Sequence, residues 1–280
     1  PIGTWGRISG AGHVAIYLSR ICAESPTLLR LCRPGEAGVV ISRYDHADRY
    51  DWTAIPLVPY LYAVDQPSEI PRSIDAQTVA RLRDSYRRMH LEGVAPDDAY
   101  GRAPHAHWTE LVGSAYERRI YVFEIETSAA QDLQLIQLLN ARSNNYRFNL
   151  FFRNCANFAQ SILNFYYPHA IHRSFTADVG LLTPKQVAKS LVSYAGHHDN
   201  LQFSIFEIPQ VPGKIHRSGK VYGVVEALLK KKQYVIPLVA LHPFVTAALV
   251  GTYIVRGRFN PARNAVVLDQ SNEMQALLHT

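Results

Sequence analysis

One cysteine and one histidine have the positions in this sequence that best suit nucleophilic catalysis. Cys155 lies in the run Phe151-Phe-Arg-Asn-Cys-Ala-Asn-Phe158, at the predicted junction of an aromatic strand and a helix. Free N–H groups and the positive end of a helix dipole favour thiolate there, so we expect a lowered pKa and a better nucleophile. The alternative is an inert, buried thiol that packs as a small apolar side chain.

The neighbours of Cys155 offer supporting groups. The N–H groups at the start of the helix could hold the oxyanion of a tetrahedral intermediate, with Asn154 beside them. Arg153 could meet a phosphate or a carboxylate, although an exposed arginine with no such role is the simpler interpretation.

A nucleophilic cysteine needs a general base, and His13 is the best placed of the 12 histidines. It follows Gly12 at the start of a predicted strand over 12–18, and a strand holds an imidazole rigidly, as a base requires. The alternative is a half-buried strand histidine without a catalytic role.

Two pairs of histidines, His105 with His107 and His197 with His198, offer too few ligands for a metal. A zinc site needs three or four ligands at suitable spacing. The sequence also lacks a phosphate-binding P-loop, a dinucleotide fingerprint, an H-E-x-x-H motif and a G-x-S-x-G elbow. We therefore expect neither a metal nor a cofactor.

Composition narrows the class of protein. The 280 residues are 48% hydrophobic and 19% charged, which is typical of a globular chain and excludes wholesale disorder. Three cysteines are too few for a disulfide-dense scaffold. The net charge of +6 suits an anionic membrane surface, but no groove-reading module accompanies it, so we expect no nucleic-acid partner.

Hydrophobic periodicity and turn residues predict the elements that would position these groups. Strands are predicted over 12–18, 38–44, 120–125, 146–152 and 203–208, with a further possible strand over 215–221. Helices are predicted to begin at Ser73, Ser128, Asn154 and Thr183. Between the first two strands we expect a polar excursion, at 57–64 an edge strand or loop broken by Pro59, and over 94–115 a loop.

The segment 233–255 has no charged side chain except a possible charge on His242, and lysines precede it and arginines follow it. At 1.5 Å per residue, a helix of this length could cross a hydrocarbon core of about 30 Å. Pro237 and Pro243 weaken that prediction. Membrane spanning, insertion at the interface and burial in a soluble core all remain open.

Two motifs together resemble a known superfamily. The run Gly12-His-Val-Ala-Ile-Tyr-Leu18, followed much later by Asn154-Cys-Ala-Asn-Phe158 at a helix start, looks like the circularly permuted branch of the NlpC-type, papain-like thiol enzymes. The lecithin:retinol acyltransferase family has the same layout. The resemblance implies an α+β fold in which a small antiparallel sheet with His13 packs on the helix with Cys155. We expect this core over residues 1–200 and an accessory region with an apolar helical segment over 201–280.

A closer resemblance covers 116–158. The run Tyr116 to Ile125, the Gln/Leu-rich helix and the run Tyr146 to Cys155 are similar to a bacterial envelope family of membrane-associated proteins, some of which resemble lipoprotein N-acyltransferases. This implies cysteine-dependent acyl transfer through a thioester, on membrane lipid or lipid-anchored protein, at the periplasmic face of the envelope. The alternatives are a cell-wall amidase or peptidase that uses the same Cys–His pair, and a non-catalytic envelope binding module.

The resemblance leaves the third catalytic group open. In the acyltransferase pattern, a second histidine on the next strand orients the base. Here Ser42 stands at the matching place, with Asp45 and His46 as rivals just beyond it. We expect Ser42 to take this role.

The envelope resemblance also bears on the other two cysteines. It implies an oxidising compartment, in which Cys22 and Cys32, ten positions apart, would form a disulfide. That would leave Cys155 as the only free thiol. The alternative is a pair of reduced, buried cysteines in a cytosolic protein.

Overall fold

Short strands and helices alternate along the chain in a mixed α+β fold. The computed structural model describes residues 12–44, 50–104, 107–145, 148–149, 151–230 and 232–268. The strands are β1 (Ile16–Leu18), β2 (Ile21–Ser25), β3 (Leu28–Leu31), β4 (Val39–Ser42), β5 (Thr53–Pro56), β6 (Ile74–Asp75), β7 (Ile120–Ile125), β8 (Phe203–Ile208), β9 (Gly213–Lys214) and β10 (Val266–Val267). The helices are α1 (Leu57–Tyr62), α2 (Ala76–His90), α3 (Ser114–Glu117), α4 (Ala129–Ala141), α5 (Cys155–Tyr166), α6 (Phe175–Asp178), α7 (Pro184–Ala195), α8 (Val224–Lys230), α9 (Lys232–Leu241) and α10 (Pro243–Thr252).

A small antiparallel sheet packs against the helix that carries Cys155. Its strand order is β1-β4-β5, and Ile16 pairs with Ile41. The inner face of the sheet shares one hydrophobic cluster with α4 and α5, in which Ile41, Leu135 and Phe158 are buried. This arrangement agrees with the expected α+β class and fixes the start of α5 relative to the start of β1.

A second sheet, in the order β7-β8-β10, joins distant parts of the chain. The strands β7 and β8 pair antiparallel along six residues, and β10 lies parallel to β8. Residues before and after position 200 therefore share a sheet, and Ile208 and Leu268 are buried in the same cluster as Tyr62 and Tyr116.

The expected edge strand or loop over 57–64 is wrong, because this segment forms the helix α1. Pro59 is the third residue of the helix, where the backbone N–H has no partner within the helix, so its absence costs no hydrogen bond. Burial of Leu57, Val58 and Leu61 stabilises the short helix.

The expected excursion between the first two strands is also wrong in part, because it contains the hairpin β2–β3. Cys22 and Cys32 lie at the open end of this hairpin with a Cα–Cα distance of 4.9 Å, and their sulfur atoms are bonded at 2.05 Å. The predicted Cys22–Cys32 disulfide is therefore confirmed, and Cys155 is free and buried.

Reduction or removal of this disulfide is expected to destabilise the protein by about 2.7 kcal/mol, the chain-entropy value for a loop of this length. The double variant Cys22→Ala with Cys32→Ala, unfolded in urea beside the wild type, measures the difference. Counting thiols in unfolded, unreduced protein should give one. A count of three, or an unchanged free energy of unfolding, would contradict the prediction.

A strand was also expected over 146–152, and among the described residues of that range none belongs to one. Instead, Asn149 and Arg153 exchange backbone hydrogen bonds of 2.9 and 3.1 Å across a tight turn. The side chain of Asn149 accepts hydrogen bonds from the N–H groups of Phe151 and Phe152, which takes them away from any strand partner. Both phenylalanine rings are left exposed.

Two further expectations need correction. The range 215–221 forms no strand; only Gly213–Lys214 pairs, and Ser218 donates instead to the carbonyl of Glu117. Part of the expected loop over 94–115 is helical, with a 3₁₀ turn at His107–Glu110 followed by the start of α3.

The apolar segment 233–255 is divided between α9, α10 and a π-helical turn at Tyr253–Gly257. The helices α9 and α10 separate at His242 because Pro243 has no N–H with which to continue the first helix. None of the helices in the described ranges is both long enough and apolar enough to cross a membrane. Large apolar side chains nevertheless face outward along the segment: Ile236, Val239, Leu241, Phe244, Val245, Val250, Ile254 and Val255.

Candidate active site

The site begins where α5 starts against the chain leading into β1. Cys155 is the first residue of α5, and the side chain of Asn154 caps the helix by accepting from the N–H of Asn157 at 3.0 Å. The N–H groups of Val14, Cys155 and Ala156 point towards the Cys155 sulfur. The structure thus brings the residue next to His13 into contact with the thiol, although 141 positions separate Val14 from Cys155 (155 − 14).

Burial raises the pKa of the Cys155 thiol, and the nearby Glu110 carboxylate raises it further. The three N–H groups lower the pKa, but by less than desolvation raises it. The expectation of a lowered pKa at the helix N-terminus is therefore wrong for this structure. Only 8% of Cys155 is exposed, so the thiolate would lose most of its hydration.

The imidazole of His13 stacks on the ring of Tyr44, with 4.8 Å between the ring centroids. The β1–β4 register predicts this contact, because three residues beyond the Ile16–Ile41 pair, His13 lies opposite Tyr44. Burial lowers the pKa of His13 to about 3, and the positive charge of Arg118 contributes in the same direction. His13 is therefore neutral at ordinary pH, which is the form that accepts a proton.

Ser42 is fully buried, and its hydroxyl donates to the backbone carbonyl of Val14 at 2.8 Å. It therefore fixes the backbone of the residue after His13, whereas the ring stacked on the imidazole is that of Tyr44. The proposed rivals, Asp45 and His46, lie outside the described residues.

Asn154 and Arg153 take different positions beside the nucleophile. Asn154 is buried; its side chain caps α5 and also donates to the carbonyl of Leu182 at 3.3 Å. Arg153 is exposed, and its backbone closes the turn with Asn149. The side chain of Asn154 thus holds the first turn of α5 in place.

Four polar residues that the sequence analysis did not select also belong to this site. Tyr60 comes from α1, Glu110 ends the 3₁₀ turn, Ser114 begins α3 and Arg118 directly follows α3. The charges of Glu110 and Arg118 act on the hydroxyls of Tyr60 and Tyr44, and the Ser114 hydroxyl faces that of Tyr60. No motif spacing connects these segments, so only the tertiary fold reveals the set.

The short helix α3 holds its position because α2 clamps the turn before it. The guanidinium of Arg83 donates to the carbonyls of Val112 and Gly113 at 3.1 Å and pairs with Glu117 at 3.0 Å. Gly113 adopts a φ of 71°, and a Cβ there would lie 2.9 Å from the Tyr116 ring. Only glycine suits both conditions, so this turn fixes the direction in which Ser114 and Arg118 leave it.

The described histidine pairs and cysteines form no metal centre. His197 and His198 are exposed, and each Nδ1 contacts a backbone carbonyl of α7. The side chains of His105 and His107 lie outside the part that the structure describes. One described group has ligand-type atoms close together, namely Cys22, Cys32 and Glu36, but its sulfurs form the disulfide and Glu36 pairs with Arg30 at 2.6 Å.

Comparison with known proteins gives no information on the function of this site. No protein-family model, curated protein or solved structure matches this chain. The thiol, the imidazole and the polar groups around them are therefore the features that bear on function.

Proposed function

We propose that this chain is a cysteine-dependent acyltransferase with Cys155 as nucleophile and His13 as general base. The observation that carries the proposal is the contact between the Cys155 sulfur and the N–H of Val14, the residue that follows His13. The imidazole on the same short segment is neutral, which is the form that can accept the thiol proton.

The reaction would proceed in two halves. In the first, His13 takes the thiol proton while the sulfur attacks an ester carbonyl; the S–C bond forms, the C–O bond breaks, and the proton passes to the departing alkoxide. In the second, an amine attacks the thioester, loses its proton through His13, and releases the Cys155 thiol. The N–H groups of Cys155 and Val14 are the candidate donors to the oxyanion in both halves.

A permuted papain-like core over residues 1–200 is the fold that we propose for this chemistry. It is supported by the order of histidine before cysteine, and by the small sheet β1-β4-β5 packed on the helix that begins at Cys155. Ser42 would act as a positioning residue through the Val14 carbonyl, while Tyr44 orients the imidazole by stacking.

We propose a membrane lipid or a lipid-anchored protein as substrate, at the periplasmic face of a bacterial envelope. The outward apolar side chains of α9 and α10 lie next to Lys230 and Lys232, with Arg258 beyond them, a composition that suits insertion at an anionic interface. Phe151 and Phe152, exposed just before the nucleophile, could contact an acyl chain.

Incubation of the protein with phosphatidylglycerol vesicles, followed by intact-mass spectrometry, tests the proposal. The expected result is a mass increase of one acyl group, located on Cys155 and released by hydroxylamine. Adding an amine acceptor should shorten the lifetime of the adduct, because the second half-reaction consumes it.

The matched control is the same incubation with a diether lipid, which has no ester to cleave and should give no adduct. Cleavage of cell-wall peptides without any lipid-derived adduct would favour the amidase alternative. The absence of both activities would favour a non-catalytic envelope module and contradict the proposal.

A further inference from the structure

Several polar groups beside Cys155 are buried without a hydrogen-bond partner. The His13 Nε2, the Tyr44 hydroxyl and the Arg118 Nη1 all lack one among the described residues. Tyr44 is only 3% exposed, so water does not reach its hydroxyl freely. Such groups are costly to bury, and their concentration in one place indicates that a ligand completes them.

Most of the unpartnered groups are hydrogen-bond donors. Arg118 donates only, and the Tyr44 hydroxyl can donate one proton. Glu110 pairs with the other arm of the guanidinium, at 3.2 Å from Nη2, which leaves Nη1 available. A site with a spare guanidinium arm and a spare hydroxyl donor fits an oxyanion with several acceptor atoms.

We propose that Arg118 binds the phosphate group of a phospholipid acyl donor beside Cys155. The inference rests on the proposed acyl transfer and deepens it by identifying how the donor is positioned. Arg118 would be a binding residue, and Glu110 would hold its side chain in place.

The phosphate of a phospholipid fits this place better than the carboxylate of a peptide. Only a few covalent bonds separate the phosphorus of a glycerophospholipid from its ester carbonyls, so a phosphate held at Arg118 would keep an ester close to the sulfur. The exposed apolar surface of α9 and α10 also favours a lipid over a peptide.

Binding of an anion would also make His13 a stronger base. Burial lowers the pKa of the imidazole most and the positive charge of Arg118 lowers it further, and both oppose transfer of the thiol proton to it. A bound phosphate would offset that charge and raise the pKa of His13 from its low value. Two other titratable side chains lie next to these groups. Tyr44 stacks on the ring of His13, and Glu110 pairs with Arg118.

Calorimetric titration with a short-chain diether phosphatidylglycerol measures this binding without any chemistry. Arg118→Gln is expected to weaken binding roughly 10- to 100-fold, the loss typical of one charge-assisted hydrogen bond. Arg118→Lys keeps the charge and a partner for Glu110, and should give an intermediate loss because it lacks the second arm. Binding of the uncharged dialkylglycerol should be the same in all variants.

Arg119→Gln is the matched control, since it removes the same charge one residue away from an exposed side chain that pairs with Glu207. If Arg118→Gln does not fold, Arg118→Lys decides the question. Wild-type affinity for the phospholipid in the folded Arg118 variants would overturn the proposal. A loss of affinity only for peptides with a free carboxylate, and not for the phospholipid, would also overturn it. Lipid binding that needs Arg118 but gives no thioester would keep this inference and reject acyl transfer.

Discussion

Replacement of Cys155 by alanine is expected to abolish thioester formation and lower acyl turnover by at least about a thousand-fold, because no other described side chain of the site is a nucleophile of comparable strength. The thiol is small and buried, so the variant should fold with little loss of stability. Intact-mass spectrometry after incubation with phosphatidylglycerol measures the adduct, and release of lysolipid measures turnover.

Cys155→Ser should also fail. A serine hydroxyl ionises far less readily than a thiol, and a buried imidazole whose pKa is lowered to about 3 is a weak base for it. His13→Ala should give a similar loss of turnover, since the thiol pKa is raised and the sulfur then has no proton acceptor.

Ser161→Ala is the matched control on the same helix. Its hydroxyl donates to the backbone of Phe158 on an exposed face of α5, away from the thiol, so turnover should be unchanged. Full activity in Cys155→Ala would place the nucleophile elsewhere. If turnover falls equally in Ser161→Ala, the loss in Cys155→Ala would come from damage to the helix and not from removal of the nucleophile.

The sequence predicts those parts of the fold that depend on local signals. The capped start of α4 at Ser128, the Thr183-Pro184 start of α7 and the strand β7 all agree with the expectation. The start of α5 at Asn154 agrees as well, because asparagine caps the helix in the usual way. These signals place the thiol at a helix N-terminus without any tertiary information.

The electrostatic environment of the site depends on contacts that no local signal specifies. The sequence predicts a helix start at Cys155 but not how deeply the thiol is buried, and burial reverses the direction of its pKa shift. Tyr44 and Ser42 lie two residues apart on the same face of β4 and its extension, so only the register with β1 distinguishes them. That register depends on a connection of 20 residues between the two strands (19–38) that includes a hairpin.

Lowering the pH below 6.5 is expected to destabilise the protein through His13. Its folded-state pKa is about 3, while in the unfolded chain it is near 6.5, so the unfolded state binds the proton between these values and the folded state does not. The free energy of unfolding therefore falls as the pH decreases. At pH 5 the contribution of this residue is a loss of about 2 kcal/mol, which is 1.5 pH units at about 1.4 kcal/mol each.

The window from pH 6.5 to 5 separates His13 from the carboxylates whose pKa values are lowered. Glu36, whose pKa is lowered to about 2 by Arg30, contributes stability that is lost only as the pH falls below about 4.5. Asp75, with its pKa lowered by the N–H of Thr78, behaves in the same way at the start of α2. A loss of stability above pH 5 would therefore come from a buried base.

Urea unfolding of His13→Gln across this window isolates the effect. Glutamine does not titrate, so the variant should lose about 1.6 kcal/mol less than the wild type between pH 6.5 and pH 5, whatever its stability at neutral pH. His197→Gln, at an exposed histidine, should follow the wild type. Parallel curves for the wild type and His13→Gln would mean that the imidazole is not buried in its neutral form, and the proposed role of His13 as a desolvated base beside Cys155 would be lost with it.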